Sequence, residues 1–278
     1  MKRIVTIQDI SCLGKCSLTV ALPIISATGV EAAIVPTAVL STHTMFSNFT
    51  CKDLDDQITP ICNHWKQEGF TFDAFYTGYL ASKEQIQNVI DFIDTLKTEP
   101  SLVIVDPAMA DNGKLYPAFS PDFAAEMARL CSKADIILPN ITEACLMTNT
   151  EYKAEYDREF AETVIKKLAD MGAKKVILTG AAFDGKYGVM TYDSESGEFY
   201  TYFHTKHATS YHGTGDVFSS TFTGALVKGK SLKESIQIAA DYTAECIRIT
   251  SENKGSWYGV EFEKAIPYLI ERIYSTKQ

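Results

Sequence analysis

No stretch of the 278 residues stays apolar for the ~18 positions that a membrane-spanning helix requires. No basic leader with an apolar centre precedes the first strand-like segment, Met1-Lys2-Arg3-Ile4-Val5-Thr6-Ile7, so a cytoplasmic protein is expected. Basic residues are in deficit: 26 Lys and Arg stand against 35 Asp and Glu, a formal charge of -9, which argues against a nucleic-acid partner. Paired cysteines are missing too. The seven present are an odd number scattered along the chain, and the one local pair, Cys12 and Cys16, has C-x3-C spacing with no second pair or His at ligand distance. Neither a disulfide framework nor a zinc ribbon fits, and reduced core thiols are expected. A P-loop is also lacking, because Asp9 occupies the place where that motif needs its first glycine before Gly14-Lys15. With no repeats, linkers or low-complexity segments, and 46% hydrophobic residues, the expectation is one domain over residues 1–278 with a sizeable core.

What is present is an alternation of strand and helix patterns. A strand ending at Gln8-Asp9 leads through Gly14-Lys15-Cys16-Ser17 into Leu18, Ala21, Leu22 and Ile25 at helical spacing, closed by Gly29. Extended segments follow over Glu31 to Leu40 and Phe72 to Leu80, with helices over Asp53 to Gly69 and Ser82 to Leu96. Leu102-Val103-Ile104-Val105 and Asp135-Ile136-Ile137-Leu138 are continuous apolar runs, the signature of strands covered on both faces of a parallel sheet. A helix over Glu159 to Met171, the strand Lys175 to Leu178 and a hairpin of Tyr187 to Tyr192 with Glu198 to Phe203 come next. Helices over Thr214 to Lys228, Leu232 to Ser251 and Phe262 to Ser275 finish the pattern. The fold class predicted is α/β in three layers: a central, mostly parallel sheet with antiparallel edge strands, flanked by helices.

Candidate chemistry lies at strand ends and helix starts. His212-Gly213-Thr214-Gly215-Asp216 opens an apolar helix, so the N–H groups of Gly213, Thr214 and Gly215 can receive an anion, while Asp216 can take a proton from an attacking hydroxyl or simply cap the helix. Asp9 is placed as a ligand contact or a turn cap. Ser41-Thr42-His43-Thr44 can hydrogen-bond a small polar ligand or close a turn, and His43 can equally be structural. Asp106 and Asp111 follow one buried strand and Asn140 and Glu143 follow the next, positions suited to a cation near phosphates, to loop solvation, or to countering a helix dipole. His204, His207 and His212 invite a metal assignment, but no further acid or Cys completes a ligand set.

Taken in order, Ile7-Gln8, Ser41-Thr42-His43-Thr44, Thr77-Gly78-Tyr79, Asp106-Pro107-Ala108-Met109, Leu138-Pro139-Asn140 and Gly213-Thr214-Gly215-Asp216 resemble the ribokinase-like superfamily, and within it the pyridoxal (vitamin B6) kinases. The resemblance runs through nearly the whole chain. It implies a sheet of eight to ten strands, ATP with Mg2+ as phosphoryl donor, K+ as a frequent activator and a homodimer. It also implies Asp216 as base for a 5′-hydroxymethyl group, with the Gly213, Thr214 and Gly215 N–H groups on the transferring phosphoryl. Asn140, Glu143 and Asp111 would organise Mg2+ and its waters, Asp106 and Thr179 would lie near the triphosphate and the monovalent ion, and His43, Thr44 and Tyr79 would belong to the ring pocket. The chain departs from the pattern at Asp9, where Ser is usual beside the pyridine nitrogen, and at Ser17, where a Gly-Asn pair is usual in a loop one residue longer. Asp9 is therefore expected to favour a protonated ring. The competing readings are a hydroxymethylpyrimidine kinase, less readily a sugar kinase, and a non-catalytic vitamin-binding protein on the same scaffold.

Overall fold

The computed structural model describes residues 1–205, 211–253 and 257–275. Strand β1 (Arg3–Leu13) leads through α1 (Leu18–Ala27) to β2 (Glu31–Thr42) and the short β3 (Cys51–Asp53). Helix α2 (Asp55–Gln67), β4 (Ala74–Thr77), α3 (Lys83–Leu96) and β5 (Leu102–Val105) follow. A small hairpin of β6 (Ala110–Asp111) and β7 (Lys114–Leu115) precedes α4 (Phe123–Cys131), β8 (Ile136–Ile137), α5 (Ile141–Met147) and α6 (Arg158–Asp170). A meander of β9 (Lys175–Phe183), β10 (Lys186–Asp193) and β11 (Glu198–His204) then gives way to α7 (Thr214–Lys228), α8 (Leu232–Ser251), a 3-10 turn over Phe262–Ala265 and α9 (Ile266–Tyr274).

Nine strands form one sheet in the order β11-β10-β9-β8-β5-β4-β1-β2-β3. The pairs from β9 across to β2 are parallel, and antiparallel pairs occur at both edges. The mostly parallel sheet with antiparallel edges is therefore as expected. The chain steps from β1 to β2 on one side, then crosses back to β4 on the other, so β1 and β4 flank the switch point where open α/β sheets leave a crevice at their carboxyl ends.

Alternation along the strands explains the three layers. Val5, Phe75, Val103, Val105, Ile137, Val176 and Leu178 join one core with residues of α2 to α6, whereas Ile4, Ala74, Tyr76, Ile104, Ile136 and Ile177 join another with α1, α7 and α8. Successive side chains point to opposite faces, and both faces are covered, which is why these segments read as unbroken apolar runs. A third cluster, including Val20, Val217, Tyr242, Phe262 and Leu269, ties α1, α7 and α8 to α9.

Two strand ends need correction: β9 runs on through Thr179 to Phe183 where Leu178 was the expected end, and the first strand is longer as well. The first strand does not end at Asp9: after a register shift between Gln8 and Ile10 it continues, pairing Ile10 with Val39, Ser11 with Leu40 and Leu13 with Thr42. Asp9 occupies that irregularity, a position at which a strand bends and re-aims a side chain. In the extension the burial is inverted, with polar Ser11 buried while Cys12 and Leu13 are exposed, so no apolar pattern announced it.

Candidate functional site

The expected site residues divide between two groups of strand ends. On one side lie Asp9 of β1, Tyr79 just beyond β4 and the His43-Thr44 turn beyond β2. On the other lie Asp106 at the end of β5, Asn140 and Glu143 after β8 and Thr179 within β9. Gly213 to Asp216 open α7 between them, since Asp216 feels the charges of both Asp106 and Asp9.

Asp9 is 5% exposed, and its carboxylate accepts Ser17 Oγ at 2.5 Å and Ser11 Oγ at 3.3 Å. Burial pushes its carboxyl up, while those two hydroxyls oppose the shift. Among the described residues no lysine or arginine pairs with it. Tyr79 lies close by, its phenol pushed up to about 12 by burial, then by Asp9 and by Cys51; its ring packs on Phe119 at 5.4 Å. A buried anion beside an aromatic face suits a flat ring that carries positive charge or N–H donors.

Thr44 is exposed in the turn after β2. His43 is buried, and both its ring nitrogens are engaged by the protein. Met45 N–H donates to Nδ1 at 3.3 Å, so Nε2 carries the proton that reaches the Tyr258 carbonyl at 2.7 Å. Its ring lies 4.4 Å from that of His212 and 4.8 Å from that of Phe46. Burial and then His43 lower the His212 imidazole to about 4, so it is neutral at pH 7. His43 thus anchors the turn that carries Thr44. His204 lies on β11 with its ring edge-on to Tyr187, and His207 lies outside the described residues.

Helix α7 begins at Gly213, whose φ of 81° lies in the left-handed region. The first intrahelical bond runs from Val217 N–H to the Gly213 carbonyl, so the N–H groups of Thr214, Gly215 and Asp216 precede the helical ladder. A Cβ at Gly215 would meet nothing within 4 Å, which leaves open space at this end. Thr214 Oγ1 donates to the Tyr211 carbonyl at 3.1 Å and closes the approach. Asp216 itself is pushed up to about 8, by burial first and then by Asp106, with the Ser17 N–H opposing and Asp9 adding to the rise.

Asp106 accepts Ser219 Oγ at 2.6 Å and is pushed up to about 6 by burial. Glu143 is buried, and its two oxygens accept the N–H groups of Met109 at 3.1 Å and Asn140 at 2.9 Å. Burial and then Asp106 raise its carboxyl. Asn140 Oδ1 returns a bond from Glu143 N–H at 3.0 Å, a capping box at the start of α5, and its amide donates to the Ala110 carbonyl at 2.8 Å. The latter bond holds the β6–β7 hairpin, where Asp111 is exposed and accepts two bonds from Asn112. Thr179 Oγ1 donates to the Pro139 carbonyl at 3.3 Å, and β8 separates its strand from that of Asp106.

No group of three or more His, Cys, Asp or Glu side chains among the described residues converges on a single metal position. Asp106, Glu143 and Asp216 nevertheless form a run of mutually opposed carboxylates, an environment that a divalent ion would relieve. Because the Asn140 amide and two Glu143 lone pairs are already used by main chain, such an ion fits as one that keeps its waters and bridges to phosphate. Sequence reasoning missed Ser219, Ser17 as a donor to Asp9, and Tyr116, whose phenol is pushed up by burial and then by Glu143, Asp106, Asp111 and Asp216. Only Ser219 left a signal, three residues after Asp216 on one helix face. The cysteine expectation was half right: all seven are free thiols, but Cys12 and Cys51 are exposed.

A parallel sheet with an anion-receiving helix start, a carboxylate at that start and an acid cluster across the switch point defines a phosphotransferase of ribokinase-like fold. Residues 21–260 match the phosphomethylpyrimidine kinase family, and the chain belongs to that family. It is similar over 96% of its length to a provisionally assigned phosphomethylpyrimidine kinase of Bacteroides thetaiotaomicron crystallised with pyridoxal, with a TM-score of 0.91, 37% identity and 95% of that chain covered. It is 27% identical to the pyridoxine/pyridoxal/pyridoxamine kinase of Bordetella avium over 89% of this chain and 85% of the relative. It is equally 27% identical to the hydroxymethylpyrimidine/phosphomethylpyrimidine kinase of Haemophilus influenzae, over 89% and 91% respectively.

Proposed function

We propose that the protein transfers the terminal phosphoryl group of ATP to the 5′-hydroxymethyl group of pyridoxal, pyridoxamine or pyridoxine. The observation that carries this reading is the pair of carboxylates Asp9 and Asp216, held by the same residue, Ser17, one through its hydroxyl and the other through its main-chain N–H. A ring nitrogen at Asp9 and a hydroxymethyl arm at Asp216 use both. Asp216 takes the hydroxyl proton as the oxygen attacks, losing its own charge as negative charge builds at the start of α7, where the free N–H groups and the helix dipole receive it. Magnesium, when bound, supplies charge neutralisation for the phosphates. Asp111 and Glu143 would hold it through water, with Asn140 fixing Glu143. The Bacteroides neighbour, which was crystallised with pyridoxal, supports this choice of substrate.

A second reading is phosphorylation of hydroxymethylpyrimidine. Asp9 can accept from an exocyclic amine as readily as from a pyridinium, and the matched family is named for the pyrimidine reaction. ATP consumption measured with pyridoxal, pyridoxamine, pyridoxine and hydroxymethylpyrimidine separates the two. Turnover of at least one B6 vitamer is expected, falling about 100-fold or more in Asp216→Asn. Turnover of the pyrimidine alone selects the second reading, no turnover at all rejects both, and an undiminished Asp216→Asn rejects only the role of the base.

A further inference from the structure

Ser17 stands in an unusual backbone state. Its φ of 50° with ψ of -135° lies outside the regions that residues with a Cβ ordinarily occupy, a conformation that glycine adopts without strain. The loop needs that conformation, because Ser17 O must start α1 by accepting from Val20 and Ala21 while its N–H turns back toward Asp216. Glycine would supply both of these main-chain functions. The side chain that makes the position strained therefore has a separate purpose, and its contact is unambiguous: Oγ lies 2.5 Å from Asp9 Oδ1, with Ser17 5% exposed.

We infer that Ser17 is a positioning residue for the reaction proposed above, its hydroxyl fixing Asp9 for the ring of the substrate while its main-chain N–H fixes Asp216 for the hydroxymethyl arm. The inference rests on that reading of the site. One residue then sets the distance between the two ends of the ligand, which makes the span from ring nitrogen to hydroxyl a built-in measure of substrate fit. The hydroxyl also opposes the upward push that burial gives the Asp9 carboxyl, since an O–H donor favours the carboxylate over the acid. The other groups near Asp9 are Ser11 on β1, the Cys16 thiol beside Ser17, Cys51 on β3, Tyr79 after β4 and Asp216 on α7. None is a cation, and among the described residues Ser11 is the one other side chain that donates to the Asp9 carboxylate, at 3.3 Å. Loss of the Ser17 hydroxyl therefore leaves Asp9 less able to stay charged. Asp216 is faced by Asp106, Asp9, Cys16, Tyr76 and Tyr116, and its Ser17 contact is main chain, which a side-chain change leaves in place.

The test compares wild type with Ser17→Gly and Ser17→Ala. Steady-state kinetics with pyridoxine and with hydroxymethylpyrimidine, and calorimetric binding of pyridoxine without ATP, are measured from about pH 3.5 to about pH 9, spanning the carboxylate and imidazole ranges. Both variants should weaken ring binding about tenfold or more, as loss of a bond to a charged group does. KM should rise more than kcat falls, and the acid edge of binding should move to higher pH. Ser17→Gly should also melt roughly 2–4 °C above Ser17→Ala, because only glycine relieves the backbone. Unchanged pyridoxine affinity and an unchanged acid edge in Ser17→Gly would overturn the inference, as would a uniform fall in kcat at every pH or a failure of Ser17→Gly to fold. If wild type turns over neither substrate, the kinase reading fails while the calorimetric comparison still decides the role of Ser17; absence of pyridoxine binding by wild type would remove it as well.

Discussion

Burial first, and then the charge of Asp106, push the Asp216 carboxyl up to about 8, with Asp9 adding to the rise. A base must be deprotonated to act, so kcat/KM, which reports the free enzyme, should climb as pH rises toward that value and level off above it. Replacing Asp106 with Asn removes the largest like-charge contribution to the shift. The Asp106→Asn variant should therefore lose activity overall, yet reach its plateau at lower pH than wild type. A pH–rate profile of the two proteins checks this, and coincident acid limbs would disconnect Asp106 from Asp216. His212, lowered to about 4, is neutral throughout that range and adds no limb of its own.

At the scale of elements, the start of α7 is held by what lies against it. A Cβ on Gly213 would sit 1.7 Å from the Lys15 carbonyl, inside any allowed contact, and Gly213 is already at positive φ. Gly213→Ala must push the β1–α1 loop away from the helix start, separating the Ser17 N–H from Asp216. A displacement of about 1 Å at a catalytic group can cost about 100-fold in rate. The expectation is a loss of that order in kcat with the fold retained, read by kinetics beside far-UV circular dichroism; activity within a few-fold of wild type would show that the loop yields freely. Helices α7 and α8 were legible to the residue because their ends carry strong local signals: Gly213 and Gly229 at the ends of the first, and a Ser231–Glu234 capping box at the start of the second. Asn140-x-x-Glu143 has the same spacing. The structure makes it a capping box as well, a local role that stands beside the cation role proposed for Glu143.

For the whole molecule, the acid cluster sets how stability follows pH. Asp106 near 6 and Asp216 near 8 are raised above their unfolded value of 3.8, so the folded state binds protons that the unfolded chain has released. Their contribution is complete below about pH 4 and is lost as pH rises through 6 and 8. Asp73, Asp135 and Asp193, lowered by lysine and main-chain partners against the desolvation that opposes them, act in the opposite sense and lose their contribution in acid. The ligand-free protein should accordingly melt higher near pH 6 than near pH 8.5, and Asp216→Asn should narrow the gap. Thermal melts across that range decide the matter, and a melting temperature still rising at pH 8.5 would refute it. The sheet was legible because parallel strands buried on two faces announce themselves as apolar runs. The candidate residues could be picked out along the sequence but their contacts could not: Asp9 and Thr179 lie inside their strands, and Ser219 of α7 meets Asp106 from 113 residues away, brought there by the tertiary fold.

The contact of Lys15 with distant chain carries one more consequence. Its carbonyl supports Gly213, its side chain packs under Gly259, and its ammonium meets Glu263. A ribosome releases these segments in order at ~5–20 residues per second, so the first loop waits on the order of tens of seconds for the segments that lock it. During that interval Asp9 and Ser17 exist without Asp216 opposite them. A nascent chain arrested before α7 emerges has Asp9 and Ser17 but lacks Asp216, the base of the mechanism proposed above. On that mechanism activity begins late in synthesis, when the chain closes over its own beginning.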